Sequence, residues 1–171
     1  DGDEWVKLGG EGWSWEECLP YFKKIERDLD FDDEYHGQNG RIPVRRIFQD
    51  QWPVYVKGIA AALEEQGIPY LHDQNGDFKD GYFPVTMSNL YDRRVSAAIG
   101  YLDPKTRRRE NLHIESEIQV KEILFEGTRA IGVVAVQRGQ EHTFKSNEII
   151  LCCGAIHSPA MLLRAGIGPV G

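Results

Sequence analysis

Cysteine is scarce in this chain, with three in 171 residues, at positions 18, 152 and 153. Three thiols give no disulfide framework. The adjacent pair Cys152 and Cys153 has neither the C-x-x-C redox spacing nor a zinc spacing. Both end an apolar run, which predicts reduced, buried thiols pointing to opposite faces of a strand and unable to pair with each other. This usage points to a reducing, cytoplasmic setting. Long hydrophobic runs are missing too: nothing approaches the ~20 apolar residues that cross a bilayer. The opening Asp-Gly-Asp-Glu-Trp has neither a basic nor an apolar leader region and no initiator Met, which predicts a section of a longer chain. Positive charge is in deficit, 20 Lys and Arg against 27 Asp and Glu for a net −7. That speaks against a nucleic-acid partner, which needs a dominant basic face. The longest basic run, Arg107 to Arg109, meets Glu110 at once and reads as a solvated turn.

Recognisable catalytic and metal signatures are also missing. There is no G-x-S-x-G, P-loop or kinase pattern and no N-x-S/T acceptor. Asp73, Asn75 and Asp77 begin like a calcium loop, but Phe78 stands where its glycine is required. The acidic stretch from Asp28 to Glu34 reads as a solvated loop. The histidines at 36, 72, 113, 142 and 157 have no ligand spacing and read singly as surface or capping residues. No metal site is expected. Four tryptophans, at 5, 13, 15 and 52, suit a core that seats the N-terminal segment, with sugar stacking as the other use of such rings.

The patterns that are present describe mixed α and β structure of ordinary globular composition, 41% hydrophobic and 27% charged. Ser14 and Glu17 form a capping box ahead of helical apolar spacing, with Pro20 predicting a kink or two short helices. Pro53 at the first position, a stripe of Val56, Ile59, Ala60 and Leu63, and Gly67 past the end mark a second helix. The 73–77 segment reads as a turn, 82–87 as an edge strand or loop, and 93–102 as a third helix. Three strands near 118–125, 130–136 and 142–145, with turns between them, predict an antiparallel meander. The apolar run 148–153 predicts a strand buried on both faces, in a separate and mostly parallel sheet. A helix should follow, with Ser158 as N-cap and Pro159 as its first residue.

Gly166-Ile167-Gly168-Pro169-Val170-Gly171 spells G-x-G-x-x-G. It follows a helix instead of opening one, and Pro169 removes an amide, so it reads as a helix C-cap and not as a dinucleotide fingerprint. The run from Glu148 through Gly154-Ala155 to Ser158-Pro159 is a strand entering a helix through small residues. Such a corner admits a ligand to the backbone. From the residues alone, an ordinary strand-to-helix turn is the favoured reading.

Recognition goes further. Gly154-Ala155-Ile156-His157-Ser158-Pro159, the Leu162-Leu163 pair and Gly166-Ile167-Gly168 closely resemble the second signature of the glucose–methanol–choline (GMC) oxidoreductases. Ala165 stands where that signature usually has Ser. Gly12-Trp13-Ser14-Trp15 with Leu19 to Phe22, then His36-Gly37-x-x-Gly40 with Pro43-Val44, then Arg94-x-Ser96, Tyr101-Leu102, Asn111-Leu112, Ile123 to Phe125 and Ala130-x-Gly132-Val133 are similar to that family in the same order. The resemblance implies FAD in an intact parent and oxidation of a CH–OH donor, with a small alcohol, choline or sugar as substrate.

The fold class expected is α/β with α+β character. It comprises part of an FAD-binding, Rossmann-like domain with an antiparallel meander, and part of a substrate-binding domain. Residues 1–40 would cover and leave the FAD domain, 41–91 would begin the substrate domain, and 92–171 would return to the FAD domain. By resemblance, Val120 meets the adenine through its backbone, and Cys153 and Gly154 lie near the adenosine end. The family's active-site histidine matches none of the five histidines here, so no catalytic residue is assigned in this chain. Tight FAD binding by these residues alone is not expected. Two further readings stay open: a family member turned to lyase chemistry with structural FAD, and a non-catalytic module binding carbohydrate or protein. The electron acceptor, oxygen or a quinone-type carrier, is not specified.

Overall fold

A computed structural model describes residues 2–76 and 78–169. Two compact units divide between Leu112 and His113.

The first unit opens with α1 (Gly2–Lys7) and α2 (Trp15–Ile25). The capping box closes as the sequence predicts: the Glu17 amide donates to Ser14 Oγ at 3.3 Å, and the Ser14 amide donates to the Glu17 carboxylate at 3.2 Å. The expected kink does not divide α2, which carries Pro20 within one continuous helix. The chain then runs through β1 (Glu26–Asp28), paired in parallel with β2 (Ile42–Val44), and a single 3₁₀ turn (Gln49–Gln51) to α3 (Val54–Glu65). Pro53 is the N-cap of α3, one position before the place predicted. Gly67, at φ +77°, ends the helix in a Schellman arrangement: its amide donates to Glu64 and that of Ile68 to Leu63.

Segment 82–87 is irregular, tied by single bridges from Tyr82 to Tyr70 and from Met87 to Arg45. Strands β3 (Asn89–Leu90) and β4 (Arg93–Arg94) form a short hairpin, followed by α4 (Ala97–Tyr101) and α5 (Pro104–Arg107). The helix expected over 93–102 is therefore shorter, because the Ser96 hydroxyl accepts from the Ile99 amide and starts the helix there. Val44, Ala60 and Val95 are buried in this unit, as are Pro43 and Pro84. Three of the four tryptophans are exposed and do not seat a core, whereas Trp52 is half-buried against Tyr70 and Tyr82. Trp5 is 54% exposed and meets Trp13 edge-on at 6.0 Å, and Trp15 meets Phe78 at 5.7 Å.

The second unit is the predicted meander, β5 (Ile118–Glu126), β6 (Arg129–Gln137) and β7 (Gln140–Lys145), antiparallel in the order β5-β6-β7. Two-residue turns set its register. Gly127 has φ +62°, and Arg138 and Gly139 have φ +51° and +79°, the left-handed pair of a type I′ hairpin. Then α6 (Gly154–Arg164) packs against β5. Ile123, Ala135 and Met161 are buried.

Three expectations change here. Residues 148–152 carry no regular secondary structure, and no strand among the described residues pairs with them. Cys152 and Cys153 are consequently exposed instead of buried, though neither is in a disulfide. Ser158 and Pro159 lie inside α6, which begins at Gly154. The C-cap reading of the G-x-G-x-x-G run stands: Gly166 has φ +78°, and the amides of Gly166 and Ile167 donate to Leu163 and Leu162. Its last two residues, Val170 and Gly171, lie outside the described residues, as does Asp77 of the 73–77 turn.

Candidate functional site

The corner at Cys153 and Gly154 is built by local geometry. Gly154 has φ +88°, a conformation that side-chain-bearing residues avoid, and a Cβ added there would meet nothing within 4 Å. Glycine is needed for the turn, and the space above its backbone stays open. The Cys153 amide donates to Ser158 Oγ at 3.0 Å, so Ser158 fastens the corner from one turn inside the helix. The first amides of α6 have no intrahelical acceptors and lie on an exposed face.

Val120 lies on β5, opposite Ala135 and next to a register shift at Lys121. Within the meander β5 is an edge strand, so alternate backbone groups along it have no ladder partner. The strand of Val120 and the helix headed by Gly154 are in contact within one unit.

The first unit holds a cluster that the sequence reading missed. Asp28, His36 and Arg46 are 3%, 3% and 2% exposed, whereas the sequence alone puts Asp28 in a solvated loop and reads His36 as a surface or capping residue. Arg46 Nη1 donates to both Asp28 oxygens, at 2.8 and 3.0 Å, and Arg46 Nε donates to Asp73 Oδ1 at 2.9 Å. Its Nη2 lies 2.6 Å from the same Asp73 oxygen, as an ion pair without hydrogen-bond geometry. The guanidinium sits over the Phe31 ring, 4.5 Å from its centre.

His36 Nδ1 is 3.1 Å from both Glu26 Oε1 and Asp28 Oδ2, and Nε2 is 2.9 Å from Asp73 Oδ2. Burial pushes the Asp28 carboxyl up, but the Asp30 and Phe31 amides and the Arg46 guanidinium outweigh it and hold the group below its usual range. Burial likewise pushes the His36 imidazole down. The hydrogen bond to Glu26 and the charges of Asp33, Asp28 and Asp73 outweigh it and raise the group.

Ligand atoms of Glu26, Asp28 and His36 come within 4.8 Å of one another, close enough for a cation. The Arg46 guanidinium already engages both oxygens of Asp28, so this is an internal ion network and not a metal site. One signal could have found it. In an extended segment, residues two apart share a face, so Arg46 shares the buried face of Val44 and needs an acidic partner.

Two of the site's parts, the corner and the edge strand, lie in the stretches that carry the resemblance noted above. The GMC oxidoreductase family model matches residues 1–170. The 5-(hydroxymethyl)furfural oxidase of Methylovorus sp. (strain MP688) is 46% identical over 171 residues, 99% of this chain and 32% of that protein. Mitochondrial choline dehydrogenase of Homo sapiens is 38% identical over 169 residues, 98% of this chain and 28% of that protein. Among solved structures, pyridoxine 4-oxidase from Mesorbium loti superposes with a TM-score of 0.86 at 32% identity, covering 98% of this chain and 33% of that one. The chain thus spans about a third of the length of the relatives it matches. The match is nonetheless continuous along the sequence, and the chain belongs to the GMC oxidoreductase family.

Proposed function

We propose that these residues are one section of a longer FAD-dependent oxidoreductase acting on CH–OH donors, and that they supply the adenosine side of the flavin site. The family match over residues 1–170 carries the reading. Surface area supports the longer protein. The chain exposes 13526 Å², against about 10,000 Å² for two folded units of these sizes that shared no surface at all. Ile150, in the unpaired 148–152 segment, is 76% exposed. Further protein covering these faces would give that segment the parallel neighbours its composition calls for. In that protein, residues 1–40 and 92–171 belong to the FAD domain and 41–91 to the substrate domain.

The residues present fit the cofactor's adenosine end. Gly154 leaves open space over a helix start, and β5 offers backbone groups at an edge near Val120. Val120 would hold the adenine through its backbone, and the Cys153–Gly154 turn would lie against the adenosine. FAD, when bound, accepts the hydride of the alcohol carbon. This chain's task is to bind and orient, and the base that takes the hydroxyl proton is assigned to none of its residues.

Gly154→Ala tests the corner. An L side chain at φ +88° costs about 1–3 kcal/mol of backbone strain, which would shift the turn. In the full-length protein, FAD affinity should fall about tenfold or more. Undiminished flavin retention on dilution would remove Gly154 from the site. The activity is tested by offering the full-length protein primary alcohols, choline and sugars, with oxygen or a dye as acceptor. Aldehyde formation matched one-for-one by acceptor reduction is expected. Carbonyl product without acceptor reduction would point to a lyase.

A further inference from the structure

We propose that His36 is held as an imidazolium donating through both ring nitrogens, and that loss of its Nδ1 proton is a built-in release that loosens the junction between the end of α2 and β1. The geometry is specific. Nδ1 faces Glu26 Oε1 and Asp28 Oδ2, each at 3.1 Å, and Nε2 faces Asp73 Oδ2 at 2.9 Å and Asp33 Oδ2 at 3.8 Å. Carboxylates only accept hydrogen bonds, so both ring nitrogens must carry a proton to satisfy them.

Among the described residues, the charged groups facing the ring come from several elements. Glu26 and Asp28 come from β1, Asp33 from the following loop and Asp73 from the 70s turn. Arg46, just past β2, shares Asp28 and Asp73. The Phe31 ring stacks on the imidazole at 5.5 Å. With His36 charged, two cations serve five carboxylates, counting Asp30, which lies 3.8 Å from Arg46; with it neutral, Arg46 remains, beside Asp28, Asp30 and Asp73.

The order of release follows from the distances. A neutral ring keeps its proton on Nε2, where the Asp73 contact is shortest, and turns the Nδ1 lone pair toward Glu26 and Asp28. Asp28 is fixed by Arg46. Glu26, with an 18% exposed side chain, is free to swing toward water. Glu26 is also the C-cap of α2: its amide donates to Phe22, and its carbonyl accepts from Gly40 at 2.8 Å. The departure of its carboxylate would leave those two backbone bonds without the side-chain tie to His36 that braces them, which would loosen the helix end and the 37–40 crossing together. A cavity of about 240 Å³, lined in part by Trp15, Phe22, Tyr35 and Asn75, reaches His36 and gives water a route to the ring.

The sign is fixed by the raised folded-state value of His36. The stabilisation is fully present below the ordinary value of 6.5 and is lost as pH rises through the raised one. Hydrogen exchange of the full-length flavin-loaded protein, corrected for intrinsic chemistry and followed from about pH 6 to 9, tests it. Peptides covering 22–46 should lose about tenfold or more of their protection in the wild type and show no such loss in His36→Gln. Asp73→Asn removes one partner charge and should move the loss to lower pH. Wild-type protection that does not change with pH, or an equal loss in His36→Gln, overturns the proposal. If His36→Gln does not fold, an unshifted loss in Asp73→Asn overturns it on its own.

Discussion

Arg46→Met should destabilise the protein by about 3–5 kcal/mol, the cost of leaving a buried charge without its partner. Methionine keeps most of the side-chain volume over the Phe31 ring, so the loss reads charge more than packing. Asp28 has no exposed side-chain surface. It would keep only the amides of Asp30 and Phe31 and the contested Nδ1 of His36. Asp28→Asn combined with Arg46→Met removes the buried Asp28 charge with its partner and should recover part of the loss, the remainder staying with Asp73, which also pairs with Arg46. The linkage gives a second check. The Asp28 carboxyl is depressed below its ordinary 3.8, so its contribution is present above that pH and disappears as pH falls through the folded value. The gap between wild type and Arg46→Met should therefore close in acid. Chemical unfolding followed by tryptophan fluorescence measures all three. A single-variant loss under about 1 kcal/mol would show that the network is a surface pair in effect.

Gly37→Ala should be the second costly change, and its reason is crowding. A Cβ at Gly37 would collide with the carbonyl oxygen of Lys23 and lie 2.7 Å from that of Glu26. A Cβ at Gly40 would run into the backbone of Ile25 and Glu26. The 37–40 segment passes flat over the end of α2, held by the Asp28 amide donating to Gly37 at 2.7 Å and the Gly40 amide donating to Glu26. Backbone atoms cannot rotate aside as a side chain would, so the cost should reach or exceed the upper end of the ~1–3 kcal/mol typical of overpacking. Gly58 in α3 is the control. A Cβ there meets nothing within 4 Å, and Gly58→Ala should stabilise by roughly 0.5–1 kcal/mol through helix propensity. Equal effects of the two substitutions in unfolding experiments would contradict the crowding argument.

These glycines show where the sequence could be read and where it could not. The spacing His36-Gly37-x-x-Gly40 was visible as a family-like motif, but its cause was not, since the atoms that forbid a side chain belong to residues 23–26. Features written in neighbouring residues were legible. The Ser14–Glu17 box, the Gly67 and Gly166 caps and the meander with its two-residue turns all depend on contacts within a few positions. Features assembled from distant positions were not. Asp28, His36, Arg46 and Asp73 span 46 positions of sequence, and an acidic run on paper looks solvated until the arginine that buries it is in place. The thiols at 152 and 153 were misplaced for a related reason. Their burial was inferred from a buried strand, and no partner strand is found for 148–152 among the described residues. Of the proposed flavin contacts, the Gly154 turn was legible because only its own backbone demands glycine. Val120 rests on resemblance, since nothing in its neighbours distinguishes it from other strand valines.

Anaerobic mixing of the full-length protein with candidate alcohols, watched through the flavin absorption band, tests the central claim most directly. Purified protein should carry bound FAD, and an alcohol that is a substrate should bleach it, with one equivalent of aldehyde or ketone formed for each flavin reduced. Protein that binds no flavin, or flavin that stays oxidised with every alcohol, choline and sugar offered while carbonyl product accumulates, would contradict it.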